Sequence, residues 1–353
     1  MRPMILLFPL ACLSTAACQL PPPILSGDYT RLCPISADQP PAQSLLFVTL
    51  RVPDCRQPPA ILMSAYRAGD PWYGAVDDQL QVTFYRQDQW HAAAASRLRA
   101  STSGPPVVFI HGFNNDNRTA LGRALAIRKL VASDRPVIAF TWPSYASKSR
   151  YIWDEANAEW AGVAARELIS TLTSSSPKIM VVAHSMGNRV ALDTVRSLKP
   201  PTGPSPVERL VMASPDVDRE TVVRELKANI GTKVTIYGSR KDQPLSTSWR
   251  VHGLPRAGDL SAWVTGSVPD YKALSGITDV EVVDTTDVRA DRLGHDDFVS
   301  TLEGAADLCR VLDSSLPKSG RADTPYAGVS TLIKNPLVDP VCTTRAASAI
   351  SGL

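Results

Sequence analysis

The chain lacks several things, and each shortage narrows its chemistry. Charge of neither sign dominates: 37 Lys+Arg stand against 34 Asp+Glu, a net +3 with the signs mixed. Nothing therefore points to nucleic acid as a partner. Cysteine is sparse, with six residues, none in a CxxC pair and none at zinc-ligand spacing. No metal, redox centre or cofactor is expected from them. Histidine is sparser still, at five, so imidazole chemistry has few places to reside. The first apolar run, Met4 to Leu13, falls short of the roughly 18 residues that a bilayer-spanning helix requires.

What is present begins with a leader. Arg2, the apolar run and the small residues Ser14-Thr15-Ala16-Ala17 ahead of Cys18 read as a signal peptide over residues 1–17. Small residues directly before a cysteine resemble the bacterial lipobox, which implies lipidation of Cys18 and anchoring to a membrane. Thr15 stands where that pattern prefers leucine, so export with simple cleavage after Ala17 stays open. The expected location is the cell envelope, as a lipoprotein on the periplasmic face, with a soluble periplasmic or secreted protein as the alternative. Gln19 to Pro23 reads as a stiff tether. Beyond it, Cys33, Cys55, Cys309 and Cys342 are an even set in an exported chain and suggest two disulfides. Three pairings exist, and closeness in sequence favours Cys33–Cys55 and Cys309–Cys342.

At 353 residues and 44% hydrophobic, the chain can bury one large core or two modest ones. Its 29 prolines gather towards both ends. Irregular segments are expected at 18–44 and 313–353, flanking a regular domain over 45–312. Within it, Leu45 to Leu50 and Leu80 to Tyr85 read as early strands. Residues 90–100 read as irregular or a short helix, with His91 at the surface and without a partner. Buried strands follow at 107–110, 137–140, 179–182, 210–213, 234–237 and 280–283, separated by helical patterns. The helix over Asp154 to Thr173 offers Trp160, Val163, Leu168 and Leu172 as core contacts. This alternation predicts an α/β fold, a mostly parallel doubly wound sheet with flanking helices.

The chain is organised around Pro177 to Val190, PKIMVVAHSMGNRV. A short apolar strand breaks at Ala183-His184-Ser185-Met186-Gly187 and runs into a helix, which is the nucleophile-elbow pattern. The elbow crowds the backbone and needs small residues two positions either side of the serine. Gly187 supplies one, and Ala183 stands where glycine is usual. A serine hydroxyl needs a base, and the base needs a third group to hold its tautomer. Only His252 and His295 follow the serine in the chain. His295, just after the last of these strands, is favoured over His252, which lies in a Gly/Pro/Arg-rich excursion. Asp242, after the fifth strand, is the expected acid, with Asp216 as the alternative; Asp216 and Asp218 also read as caps of the helix that follows. The backbone N–H groups of Phe113 and Met186 are expected to face the oxyanion. His111, Gly112, Trp142 and Tyr145 are candidate pocket residues, His111 more as a support of its loop than as a proton carrier. Residues 243–279 read as a cap or a surface excursion.

With those residues in place, VVFIHGFNN (107–115), FTWPS (140–144), Tyr151 and Asp154 at the start of the long helix, and AHSMGNRV (183–190) resemble a family. So do ASPDVD (213–218), YGSRKDQPLSTS (237–248), RAGD (256–259) and the GH before Phe298. They resemble the bacterial esterase/lipase-like α/β-hydrolases long filed as a domain of unknown function. The resemblance spans about 105–310 and implies an α/β-hydrolase fold with a Ser-Asp-His site on Ser185, Asp242 and His295. The expected activity is cleavage of a small-molecule or lipid acyl ester, or a thioester. Two alternatives use the same chain: a non-catalytic envelope lipoprotein holding a partner or lipid, and an acyltransferase.

Overall fold

Short β-branched runs build the middle of one large sheet. The computed structural model describes residues 33–55, 63–228, 230–265, 268–269, 277–290, 292–313, 315–316, 320–334 and 339–353. The leader, Cys18, the tether and part of the segment 243–279 lie outside the described residues.

In chain order the first half holds β1 (Ile35–Ser36), β2 (Leu45–Pro53), β3 (Met63–Val76), β4 (Val82–Tyr85), α1 (Gln87–Ala100), β5 (Val107–Ile110), α2 (Asn117–Leu130), β6 (Val137–Thr141) and α3 (Tyr151–Thr173). Next come β7 (Ile179–His184), α4 (Gly187–Leu198), β8 (Val207–Ala213), α5 (Arg219–Lys227), β9 (Lys233–Gly238) and α6 (Gln243–His252). A small hairpin, β10 (Val264–Thr265) and β11 (Val268–Pro269), leads to β12 (Val280–Asp284), α7 (Asp297–Ser300), α8 (Leu302–Leu312), β13 (Arg321–Asp323), β14 (Val329–Leu332) and α9 (Pro340–Ile350).

Twelve strands form one sheet in the order β1-β4-β3-β2-β6-β5-β7-β8-β9-β12-β14-β13. From β2 through β14 every neighbouring pair is parallel. Strand alternation sends Val108 and Ile110 into one buried cluster and Val107 and Phe109 into the other. Helices cover both faces, which explains why these strands read as unbroken apolar runs. The doubly wound, mostly parallel sheet is the architecture that the alternation predicted.

Four expectations are corrected. β3 was not anticipated, because Gly69, Asp70 and Pro71 punctuate it; they sit where the β2–β3 register shifts, between Thr49 opposite Trp72 and Arg51 opposite Arg67, and a bulge tolerates proline. The tail from residue 313 is not simply irregular: β14 pairs with β12, β13 with β14, and α9 docks against α8. The run Val329–Leu332 is too short to announce itself, and the Cys309–Cys342 disulfide ties α9 to α8. On α3 the buried face is Ala158, Ala161, Gly162 and Ala165 with Leu168, Ile169 and Leu172, whereas Trp160 and Val163 face outward. Small residues let this helix lie close to α4, and the Trp160 ring instead takes the Arg67 guanidinium at 4.9 Å. His91 belongs to α1 and is half-buried, its ring 5.1 Å from Tyr73 and 5.4 Å from Trp90. Cys33–Cys55 is the second disulfide, so both pairs follow the pairing that closeness favoured.

Candidate active site

The carboxyl ends of four central strands lead into left-handed backbone at non-glycine residues. Among the described residues six non-glycine residues have positive φ, and four of them, Asn114, Ala146, Ser185 and Ser214, follow β5, β6, β7 and β8. Such strain persists where surrounding contacts over-determine it, and it clusters at functional sites. Ser185 has φ 51°. Its N–H donates to Ala213 O at 2.9 Å, and its carbonyl accepts from Asn188 N at 3.1 Å, Asn188 Nδ2 at 3.0 Å and Asp216 N at 3.2 Å. The turn is therefore held from β8, from α4 and from the loop after β8.

Two glycines make room for it. A Cβ on Gly187 would stand 2.3 Å from His111 O, and one on Gly112 would stand 2.8 Å from Ser185 Cβ and 2.9 Å from His184 O. Neither backbone clash can be relieved by a rotamer, so the loop after β5 reaches the serine only because both positions lack a side chain. Ala183 is fully buried in β7.

His295 reaches the same strand ends from the loop after β12. Its carbonyl accepts from Ser214 Oγ at 2.8 Å, and its ring lies 4.9 Å from that of His184. Its Nδ1 lies 2.8 Å from Asp242 Oδ2, which leaves Nε2 free of that bond. Asp242 is fully buried and caps α6, Oδ1 accepting from Leu245 N at 2.9 Å. One carboxylate oxygen thus serves the helix and the other the imidazole, with the helix N-terminus favouring the negative charge. Burial pushes the Asp242 carboxyl upward, against the pull of His295. Burial also opposes protonation of His295, but the charge and hydrogen bond of Asp242, with Asp296 and Asp216 behind, lift it to about 9. Among the described residues no hydrogen bond joins Ser185 Oγ to His295.

The loop after β5 is braced from behind by buried hydrogen-bonding side chains. His111 is fully buried; its Nδ1–H donates to Gly112 O at 2.8 Å and its Nε2 accepts from Trp142 N at 3.1 Å. Burial and the nearby Arg51 charge hold it well below the usual range, so it stays neutral. Trp142 stacks on it at 4.9 Å and donates from Nε1 to His111 O at 2.8 Å. Both side chains are 0% exposed, which corrects the expectation that they line a pocket: they support the loop after β5 from within the core. Asn115 Nδ2 donates to Phe113 O at 2.7 Å and Gly112 O at 3.1 Å. Arg123 spans from Asn115 Oδ1 to Asp296 Oδ2, each at 2.5 Å, and so ties this loop to the His295 loop. Buried Arg51 donates to Ser144 O at 2.9 Å and Asn115 O at 2.8 Å, while Asp154 accepts from Ser144 Oγ and Tyr145 N. Tyr145 itself is half-buried against Trp153.

The alternative acid lies one strand away and faces elsewhere. Asp216 accepts from Tyr151 OH at 2.5 Å and Ser248 Oγ at 2.7 Å, and Arg256 Nε stands 3.3 Å from it. Asp218 caps α5 through Thr221 N. His252 turns to Ser248 O at 2.9 Å and Glu155 at 3.3 Å, away from the Asp242 pair. Asn115 and Asn188 stood inside the quoted motifs and Asp296 beside His295, so their participation had a sequence signal. Arg123, on an ordinary helix face, had none.

A family model described as alpha/beta hydrolase of unknown function (DUF900) matches residues 87–310, from α1 into α8. The crystal structure of esterase PE8 is similar at 20% identity and TM-score 0.35, over 55% of this chain and 90% of that one. That of Aspergillus fumigatus lipase B is similar at 14% identity and TM-score 0.38, over 76% of this chain and 67% of that one. No curated protein matches the chain.

Proposed function

This chain belongs to the alpha/beta hydrolases of unknown function (DUF900), and from that premise we propose that it is a serine hydrolase cleaving a carboxylic ester or thioester. Ser185 Oγ attacks the acyl carbon while His295 Nε2 takes its proton. The tetrahedral oxyanion meets the N–H groups of Met186 and Phe113. As it collapses, the alcohol or thiol leaves with the proton held by His295, and the acyl group stays on Ser185. Water activated by the same nitrogen then releases the acid.

The observation that carries this reading is the desolvated Asp242–His295 pair, at 2.8 Å, beside a serine in a left-handed turn. Bringing a carboxylate out of water is unfavourable by several kcal/mol after relaxation, and a mere binding scaffold gains nothing from it. Asp242 fixes the tautomer with Nδ1 protonated and stabilises the imidazolium formed during attack. The same charge makes the free base scarce at neutral pH. Hydrolysis and acyl transfer share these steps up to the acyl-enzyme and differ only in the acceptor.

We further place the protein outside the cytoplasm, anchored through Cys18. Two disulfides support an oxidising compartment. Radiolabelled palmitate in the wild-type protein, absent from Cys18→Ser, is the expected result for the anchor. For the activity, a fluorophosphonate probe should label the wild type and neither Ser185→Ala nor His295→Ala. A folded wild type that resists labelling, with or without detergent, defeats the hydrolase reading.

A further inference from the structure

Four large apolar side chains stand in solvent on two helix ends: Ile152 (71% exposed), Trp153 (43%), Val251 (62%) and Leu254 (51%). The first two begin α3, and the others lie at or just beyond the end of α6. These ends touch, since the Tyr151 ring packs on that of His252 at 5.3 Å and its hydroxyl lies 3.0 Å from Ser248 Oγ. Tyr151 also packs on Phe113 at 5.1 Å, and Phe113 follows Gly112, which abuts Ser185. The exposed apolar side chains thus border the approach to the serine.

Within the stretches 145–153 and 249–254 the Lys and Arg side chains are the formal charges. Lys148 and Arg250 are exposed, and Arg150 lies over the Tyr145 ring at 5.4 Å. The stretches 145–153 and 249–254 hold no Asp or Glu. Of the next acids, Asp154 is buried and Glu155 is tied to Arg189 and His252. Tryptophan and aliphatic side chains interleaved with cations that form no ion pair among the described residues suit a surface that is apolar within and anionic at its headgroups. A second copy suits it poorly, because two-fold pairing of this face sets like charges opposite each other.

We propose that this face docks onto an anionic lipid surface and that the ester cleaved at Ser185 is a lipid-borne acyl ester taken from it. The substrate half rests on the hydrolase reading; the docking half does not. Binding is tested on the full chain carrying Cys18→Ser, so that no acyl anchor contributes, and Ser185→Ala, so that no lipid is consumed. The parent should co-sediment with vesicles containing phosphatidylglycerol. Replacing Ile152, Trp153, Val251 and Leu254 by serine should weaken that binding at least about tenfold, as should Lys148→Glu with Arg250→Glu. Pure phosphatidylcholine should bind the parent more weakly. With Ser185 restored, the four-serine variant should keep its rate on a soluble short-chain ester and lose it on an ester embedded in the vesicles. Equal vesicle binding by parent and both variants overturns the proposal, as does a dimer in solution that the four-serine variant abolishes. Patch-dependent binding without hydrolysis of either ester upholds docking and sinks the hydrolase reading alone.

Discussion

Asp242 and Asp216 invite comparison. Both follow central strands, both are buried, and both are bonded to groups on or near α6. Asp242 spends one oxygen on the α6 N-terminus and the other on an imidazole that can gain and lose a proton. Asp216 spends both on fixed structural partners, the hydroxyls of Tyr151 and Ser248 and the guanidinium of Arg256. Burial alone does not make a carboxylate chemical; its partner does. The first arrangement is suited to moving a proton, and the second to holding two loops together.

The comparison breaks most sharply at Asp242→Asn. The amide cannot stabilise the imidazolium and favours the wrong tautomer, so turnover or probe labelling should fall about 10⁴-fold in a folded protein. A drop of less than tenfold would mean that Asp242 is structural. At Asp216→Asn the effect should move to stability. Arg256, 2% exposed, loses its charge partner, which should lower unfolding free energy by about 3–5 kcal/mol in denaturant titration. Activity per folded molecule should stay within about tenfold of wild type. The reverse outcome would exchange the roles of the two acids.

The pH profile sharpens the contrast further. With His295 lifted to about 9, labelling should rise about fiftyfold from pH 7 to 9, as the neutral base grows from a hundredth to half. Asp242→Asn should move that rise to lower pH. The stability sign follows from the same shift. The folded value lies above the ordinary 6.5, so protonation of His295 favours the fold. Its contribution is complete below about pH 6.5 and is lost as pH rises through about 9. A thermal midpoint that increases between pH 7 and 9, with Asp242→Asn as reference, would contradict this. The smallest effect belongs to Tyr151→Phe, which removes one hydroxyl from the Asp216 carboxylate and should lower stability by about 2 kcal/mol with little change in labelling.

Much of this was legible in the residues. The buried parallel strands announced themselves because both faces are covered, and the elbow showed in AHSMG because the turn needs small residues two positions either side of the serine. β3 stayed hidden behind Pro71, and β14 behind its brevity. Trp142 looked like a pocket wall because an aromatic at a strand end is either wall or core, and nothing in FTWPS says which way the indole turns.

Chain order and local crowding were enough to specify the elbow, the strand-end loops and a short list of two acids and two histidines, because those depend on neighbours a few residues away. Which acid meets which histidine depends on where α6 and the loop after β12 come to rest, with Asp242 and His295 53 residues apart. The same holds for Arg123 and Asp296, 173 residues apart. Contacts at that separation are set by packing of whole elements on the sheet, and no local pattern records them.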